Sequence, residues 1–367
     1  MRRQLVAQVA GAAGAGLGAL LPEQRDLPQQ AVDLFLLPVD RQVQLVQQVF
    51  GEARLDLEFG QAAVRVLRGV HAAIGQEAGA APVQNAEMDP TIRTLGLAEM
   101  PLVIEMAARE GWNPGLHDGA CFHAADPGGF LVAEHRGEAI GCISAVSYAG
   151  RFGFIGLYIV APAWRGKGVG LRLWRAGMAR LAGHVVGLDG VPAQQDNYRR
   201  SGFALAWKNA RFAGVARGGG SVPPQIVPLA TVDPRLLAAD DRRVFPAPRD
   251  AFLRAWVGMP DATGLAWLED GRLAGWGLVR RCREGHKIAP LLADDPQVAR
   301  ALFAALSAAV PAGDAIYLDV PLPNADAVAM ARAEGMRSVF ETARMYAGAA
   351  PPCELQRVHG LTSFELG

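Results

Sequence analysis

Cysteine, net charge and long apolar runs are all scarce in this 367-residue sequence, and each shortage excludes a class of protein. The four cysteines, Cys121, Cys142, Cys282 and Cys353, are far apart and form no C-x-x-C pair. They therefore indicate neither a zinc site nor a disulfide framework, and we expect no bound metal. Lys+Arg and Asp+Glu both number 36, so the net charge is zero. This balance excludes a general electrostatic attraction to nucleic acid or to an anionic membrane.

The N-terminus has only the outline of a targeting segment. Arg2 and Arg3 precede a run rich in Ala, Gly and Leu that ends near Leu21. Gln8 interrupts this run, and its glycines and alanines dilute its hydrophobicity. The run is thus too weak for a membrane span, and we do not expect a signal peptide. The sequence favours a cytoplasmic protein that does not associate with membranes.

The chain is long enough for two or three domains. Residues 30–76 carry apolar side chains at helical spacing, so 1–85 is predicted to be a helical N-terminal extension with its linker. A second linker, rich in glycine and proline, follows residue 217. The two linkers predict an α/β domain over 86–217 and another over 225–349. Residues 350–367 are left as a C-terminal tail.

One stretch of the first domain has the features of a phosphate-binding loop. Phe152–Val160 is an apolar run that predicts a strand, and Leu171–Leu181 has the pattern of a helix. The glycines between them are Gly166, Gly168 and Gly170. Their backbone amides, unhindered by side chains and backed by a helix dipole, form a nest for a phosphate or pyrophosphate. Arg165 and Lys167 add positive charge at its mouth.

The spacing of this loop matches neither of two common nucleotide loops. It lacks the Lys-Ser or Lys-Thr of a P-loop and the G-x-G-x-x-G of a dinucleotide fold. The segment R-G-K-G-V-G instead resembles the acetyl-CoA pyrophosphate loop of the GNAT acetyltransferase superfamily, R/Q-x-x-G-x-G/A. Arg165, Gly168 and Gly170 meet that pattern, with Pro162 ahead of them. The predicted order β-α-β-β-β-loop-α-β-α-β, from Asp89 to about 214, is also similar to that family.

The second domain repeats the layout of the first. Leu188-Asp189 and Ala210-Arg211 of the first are matched by Leu318-Asp319 and Ala343-Arg344 of the second. The same spacing separates Gly202 from Arg211 and Gly335 from Arg344. Three markers in the same order argue for a duplication. The resemblance therefore implies a tandem GNAT protein, with two α/β domains built on mixed, mostly antiparallel sheets with flanking helices.

Only the first domain keeps the glycine loop. At the matching place the second domain has no glycines, and Asp294 and Asp295 would repel a pyrophosphate. We therefore expect one acetyl-CoA site for each chain, in the first domain. The second, degenerate domain is expected to supply one wall of the acceptor pocket.

The resemblance also implies roles for particular residues. In this family a bulge in the strand before the loop presents an amide to the thioester oxygen, which places it at Leu157–Val160, with Ile159 favoured. The tyrosine four residues before Gly202 is Tyr198, which the family pattern makes the acid that protonates the thiol. The family asparagine seven residues before it is replaced by Val191, and Asn197 and Gln195 are the candidate substitutes. The residues expected to bind the cofactor are Leu157, Ile159, Val160, Arg165, Gly166, Lys167, Gly168, Val169, Gly170 and Asn197.

The base that takes a proton from the acceptor is less clear from the residues. Asp189 at the end of a strand and Asp118 in the loop after Trp112 are the catalytic candidates. His117, Glu134, His135 and a water relay remain open. Trp112 and Asn113 belong to a loop that would overhang the acceptor, where Asp118 could pair with an ammonium group.

The resemblance therefore implies an enzyme that moves an acetyl group from acetyl-CoA to a primary amine of a small molecule. It also implies that the amine attacks directly in a ternary complex, and we expect that the chain could form a homodimer. Two alternatives remain open from the sequence. One is a non-catalytic module that binds CoA and recognises a partner, and the other is a transferase that uses a longer acyl-CoA.

Overall fold

The computed structural model describes residues 90–219 and 222–367, which belong to one compact unit, Glu87–Gly367. The helices predicted within 30–76, and with them the extension 1–85, lie outside the described residues. Within the described ranges, every helix is too short or too polar to span a bilayer.

The first half follows the predicted order of elements. Its strands are β1 (Thr91–Thr94), β2 (Phe130–His135), β3 (Glu138–Tyr148), β4 (Phe152–Val160), β5 (Val185–Gly190) and β6 (Phe203–Val215). Its helices are α1 (Met100–Arg109), α2 (Asp118–Ala125), α3 (Val169–Arg180) and α4 (Gln195–Arg200). Helix α2 is an addition to the prediction, which left Asp118 in a loop.

Local sequence explains where these elements begin and end. Strand β4 is apolar along nearly its whole length because both of its faces are largely buried. Helix α3 begins after Gly168, whose φ of 82° ends the preceding loop. Helix α4 stops before Gly202, which has a φ of 87° and so takes the left-handed conformation that ends many helices.

The second half repeats this layout and adds elements of its own. Its strands are β7 (Ile226–Pro228), β8 (Ala262–Glu269), β9 (Arg272–Arg281), β10 (His286–Ala293), β11 (Ala315–Pro321), β12 (Arg337–Ala347) and β13 (Val358–Gly360). Its helices are α5 (Pro234–Val244), α6 (Asp250–Val257), α7 (Pro296–Ala308) and α8 (Ala325–Ala333). The sequence analysis did not identify α5, α6, β7 or β13.

The described strands form a single mixed sheet in the order β1-β2-β3-β4-β5-β12-β6-β11-β10-β9-β8-β7, with β13 paired to β10. The pairs β4–β5 and β10–β11 are parallel and the rest are antiparallel. The α/β class is thus confirmed, but the two sheets are continuous. The last strands of the halves are exchanged, because β12 pairs with β5 of the first half and β6 pairs with β11 of the second.

Because of the strand exchange, each of the repeated aspartates forms an ion pair with the arginine of the other half. Arg344 donates to Asp189, with its Nη2 2.7 Å from Oδ2. Arg211 donates to Asp319, with its Nε 2.7 Å from Oδ1. All four side chains are at most 7% exposed. Each half therefore completes the other with a strand and a buried ion pair.

Both halves also share a hydrophobic core. One buried cluster includes Phe122 and Phe154 of the first half with Trp256 and Phe364 of the second. Helix α2 packs against α6, and the rings of Phe122 and Trp256 stack with centroids 6.2 Å apart. The halves are thus fused through apolar burial as well as through strand pairing.

The end of the chain, Val358–Gly367, is buried and forms part of this core. We call these residues the C-terminal segment; the sequence analysis left them in the tail 350–367. Strands β10 and β11 pair only as far as Ile288 and Leu318. Beyond that point they separate, and β13 fills the gap by pairing Gly360 with Leu291 of β10. The cleft of the second half is therefore occupied by the chain itself.

Asn324 holds the C-terminal segment in this cleft. Its Oδ1 accepts from the amide of Ala327 at 3.1 Å and so caps α8. Its Nδ2 donates to the carbonyls of Gln356 and Val358, both at 3.0 Å. The side chain is fully buried, so all of these groups depend on one another for hydrogen bonds.

We expect Asn324→Ala to lower the free energy of unfolding by about 2–4 kcal/mol, because it removes a cap and leaves buried carbonyls unpaired. Asp295→Ala is the matched control, since the side chain of Asp295 caps α7 through the amides of Gln297 and Val298, which belong to the helix itself. That control should cost about 1 kcal/mol. Denaturant unfolding measures both, and equal losses would show that Asn324 is only a cap.

Candidate active site

A cavity of about 590 Å³ joins the glycine loop of the first half to the C-terminal segment. Its size is within the range of small-molecule sites, about 300–1,000 Å³. The first half lines it with β4, the loop and the start of α4. The second half adds Phe340, Thr342, Phe364 and Glu365. The site is therefore built by both halves.

The glycine loop has the shape of an anion-binding nest. Gly166 and Gly168 have φ angles of 76° and 82°, which non-glycine residues rarely adopt. A side chain on Gly170 would lie 2.7 Å from the hydroxyl of Tyr158, so this position also needs glycine. The amides of the first turn of α3 have no partner inside the helix. These residues fit the pyrophosphate of an acyl-CoA.

The two basic residues of the loop differ in their placement. The Nε of Arg165 donates to the carbonyl of Val160 at 2.9 Å, and its guanidinium pairs with Glu110. Lys167 is outside the cavity lining, with its Nζ 5.2 Å from the ring centroid of Trp164. Arg165 thus shapes the cavity rim, and Lys167 lies at its outer side.

Strand β4 separates from β5 beside the loop. The last paired residues are Ile155 and Leu188. Beyond them, the backbone groups of β4 that face β5 have no strand partner and can bind an extended ligand. The pairing with β3 also shifts by one residue between Gly156 and Ile159, where Leu157 has a φ of 46°. This bulge lies in the predicted segment and lines the cavity.

Tyr198 lines the cavity from α4. Its ring packs between Trp174 and Phe203, with centroid distances of 5.7 Å and 6.4 Å. A side chain on Gly190 would collide with the ring, so this glycine makes room for it. Burial raises the pKa of Tyr198 to about 12. The phenol is therefore protonated at neutral pH, as a general acid must be.

The two aspartates considered from the sequence lie in buried ion pairs. Asp189 lines the cavity but accepts from Nε and Nη2 of Arg344, at 2.8 and 2.7 Å, and from Asn209. Despite burial, Asp189 raises the pKa of Arg344. Asp118 is outside the lining and is held by Arg280 at 2.6 and 3.0 Å. Although burial opposes it, Arg280 lowers the pKa of Asp118.

The remaining predicted residues are divided between the cavity and the interface of the halves. Trp112 lines the cavity, and its carbonyl accepts from Arg211 at 2.6 Å. Asn113 instead bonds to the backbone of Glu284 through both side-chain atoms. Val169 is buried under the loop, and Asn197 is exposed beside the cavity. Over the described ranges, no three His, Cys, Asp or Glu residues are grouped to hold a metal.

Several cavity residues were missed by sequence reasoning. Arg211 was noted only as a repeat marker, although its guanidinium lies 5.8 Å and 5.2 Å from the rings of Phe340 and Phe364. Glu365 was left in the tail. The one available signal was the composition of residues 358–367, of which Val358, Leu361, Phe364 and Leu366 are large and apolar. The position of these residues in the fold depends on contacts with residues far away in sequence, which no local pattern specifies.

We expect Gly168→Ala to raise the Kd for acyl-CoA about 10-fold or more, since the new methyl group disfavours the left-handed backbone by about 1–2 kcal/mol and moves the amides of the nest. Gly313→Ala is the matched control. Gly313 has a φ of 95° and open space around it, as Gly168 has. Both variants should lose similar stability, but only the first should lose affinity by titration calorimetry. Equal affinities would place the pyrophosphate elsewhere.

Comparison with known proteins agrees with this geometry. Residues 103–203 match a model of the Acetyltransferase (GNAT) family, and residues 238–360 match a model of the Acetyltransferase (GNAT) domain. The chain is also 30% identical over 277 residues to the holothin acyltransferase of Pseudoalteromonas sp. (strain SANK 73390), covering 76% of this chain and 94% of that protein. This chain is a tandem GNAT acyltransferase.

Solved structures support the fold of this tandem GNAT enzyme. A Pyrococcus horikoshii protein assigned as an acetyltransferase aligns with a TM-score of 0.66 and 20% identity, covering 76% of this chain and 96% of its own. A tandem GNAT protein of the clavulanic acid pathway aligns with a TM-score of 0.51 and 14% identity, covering 71% and 100%. Both GNAT models match, so the predicted tandem arrangement is confirmed, and acyl-CoA is the donor class of the family.

Proposed function

We propose that the first half of this tandem GNAT enzyme binds acetyl-CoA and transfers its acetyl group to a primary amine of a small molecule. The observation that carries the proposal is one cavity that joins the glycine loop, the β4 bulge and an aromatic wall. Phe340, Phe364 and Trp112 contribute to that wall. A cavity of about 590 Å³ with such a lining is of the size and kind that bind small molecules.

The residues of the first half divide the chemistry among themselves. Gly166, Gly168 and Gly170 bind the pyrophosphate through their amides. The bulge between Gly156 and Ile159 directs an amide at the thioester oxygen and stabilises the charge that develops there. The amine nitrogen attacks the carbonyl carbon directly, since the cavity holds both reactants side by side. Tyr198 gives its proton to the sulfur as the C–S bond breaks.

The second half is proposed to bind no acyl-CoA of its own. Strand β13 fills the gap between β10 and β11 where a pantetheine arm would lie in a functional half. Asp295 already caps α7 at the place of the glycine loop, and its carboxylate accepts from the amides of Gln297 and Val298. The helix terminus is thus satisfied internally.

Titration calorimetry and thiol release test the function together. We expect one CoA site for each chain and acyl-dependent thiol release with small primary amines. The acceptor panel should include holothin, because the Pseudoalteromonas relative is named for it. Acetyl-CoA and longer acyl-CoA donors should be compared with each acceptor. Two CoA sites would contradict the assignment of the halves, and tight CoA binding without transfer to any amine would favour a CoA-responsive binding module.

A further inference from the structure

The carboxylate that remains available in the cavity comes from the C-terminal segment. Glu110, Asp189 and Glu365 are the carboxylic acids that line it. Glu110 pairs with Arg165, and Asp189 pairs with Arg344. Among the described residues, the side chain of Glu365 has no hydrogen bond or ion pair, and the residue is 7% exposed in the cavity wall. Its carboxylate can therefore bind a ligand in the cavity without first breaking an ion pair.

The backbone of Glu365 lies directly against the β4 bulge. A side chain on Gly156 would collide with the carbonyl of Glu365, so glycine at this position permits the contact. The bulge is where the thioester oxygen is proposed to bind. Glu365 is therefore held beside the reacting carbonyl by its own main chain.

The C-terminal segment is fixed well enough to keep Glu365 in place. The hydroxyl of Ser363 accepts from the amides of Glu365 and Leu366, both at 3.0 Å. The carbonyl of Leu366 accepts from the hydroxyl of Tyr148 at 3.1 Å, and that of Gly367 accepts from Arg249 at 2.8 Å. Precise placement of this kind is what a proton acceptor needs.

Two arginines lie near Glu365 without forming an ion pair with it. Arg211 on β6 and Arg280 on β9 both interact electrostatically with its side chain. Each arginine is already paired, Arg211 with Asp319 and Arg280 with Asp118. The carboxylate of Glu365 is therefore left available to a ligand. The other titratable groups facing the cavity are Tyr158 and Tyr198, and burial raises the pKa of both.

We propose that Glu365 takes the proton from the acceptor amine, and that the acceptor is a monocationic primary amine with an apolar body. The inference rests on the function proposed above. The ammonium pairs with Glu365, while Phe340, Phe364 and Trp112 contact the apolar body. A polyamine would place its second charge near the guanidinium of Arg211, which lies over the rings of Phe340 and Phe364 and would repel it.

The protons balance in this scheme. The ammonium gives one proton to the carboxylate of Glu365, and the free nitrogen attacks the thioester carbon. A second proton leaves the nitrogen for solvent as the amide bond forms. The C–S bond breaks, and the sulfur takes the proton of Tyr198, which is then restored from Glu365 or from water. The net products are the amide, the free thiol of CoA and one proton.

Glu365→Gln tests the proposal with two acceptors, a phenylalkylamine that is protonated at pH 7 and an aniline that is not. For the phenylalkylamine we expect kcat/KM at pH 7 to fall on the order of 100-fold, with the loss shrinking as the pH approaches the pKa of the amine itself. For the aniline we expect a loss of less than about tenfold, because no proton must leave before attack. Glu365→Asp keeps the charge and should restore part of the activity towards the phenylalkylamine.

Glu354→Gln is the matched control, because Glu354 precedes the C-terminal segment but lies at the surface in a pair with Arg243. It should leave both reactions unchanged. An equal loss for both amines, or none for either, would overturn the role of Glu365. A diamine that reacts as well as the monoamine would overturn the acceptor class. If the unsubstituted enzyme acylates no amine at all, the proposed function fails instead.

Discussion

Tyr198→Phe is expected to lower kcat by about 100- to 1,000-fold while the KM for acyl-CoA changes little, because only a proton donor is removed. The ring lies in a slot formed by Trp174, Phe203 and Gly190, so phenylalanine should keep its position. The raised pKa of Tyr198, about 12, means that the proton is present across the pH range of an ordinary assay. No alkaline loss of activity should therefore come from this residue. Steady-state thiol release measures kcat and KM.

Tyr158→Phe is the matched control for this change. Tyr158 lines the same cavity, and its hydroxyl lies against Gly170 of the glycine loop. Its loss should therefore alter the KM for acyl-CoA before it alters kcat. If Tyr158→Phe lowered kcat and Tyr198→Phe did not, the acid would be Tyr158.

The part of the site formed by β4 and the glycine loop could be predicted from the sequence, because the residues that form it follow one another along the chain. The apolar run Phe152–Val160 forms the strand with the predicted bounds. The glycines after it fix the backbone of the loop over a few residues. A strand, a turn and a helix that follow one another in sequence need no long-range information. The same holds for Gly202, whose positive φ follows the end of α4.

The exchange of strands could not be predicted from such signals. The repeat of Asp189 and Arg211 in Asp319 and Arg344 correctly indicated a duplication. The repeated residues are equally compatible with ion pairs formed within each half, Asp189 with Arg211 and Asp319 with Arg344. In the structure each ion pair instead joins the two halves, because β12 pairs with β5 of the first half and β6 pairs with β11 of the second. Strand partners far apart in sequence depend on the tertiary fold rather than on local propensity.

The cavity residues of the C-terminal segment, Phe364 and Glu365, were not predicted from the sequence for a related reason. Residues 358–367 show neither helical nor strand periodicity over a useful length, so they were left as a tail. In the structure they complete the second half and then reach the β4 bulge of the first. Helices α2 and α6, which pack these regions together, are short, and such elements give weak signals.

Asp189→Asn is expected to lower the free energy of unfolding by about 3–5 kcal/mol, since it leaves the guanidinium of Arg344 buried without its anion. Arg344 is only 7% exposed and lies between the rings of Phe154 and Trp207, so water cannot replace the lost charge. The pair also joins β5 of the first half to β12 of the second. Denaturant unfolding should therefore show a single, earlier transition.

The double variant Asp189→Asn with Arg344→Met separates a structural role from a catalytic one. Removing both charges together should restore most of the stability, because buried ion pairs are often replaced by neutral side chains at little cost. Asparagine keeps an acceptor for the amide of Asn209, which donates to Asp189 at 2.9 Å. If Asp189 serves only the strand exchange, acyl transfer should return with the fold. If Asp189 were the base, the refolded double variant would stay inactive, and Glu365 would lose its proposed role.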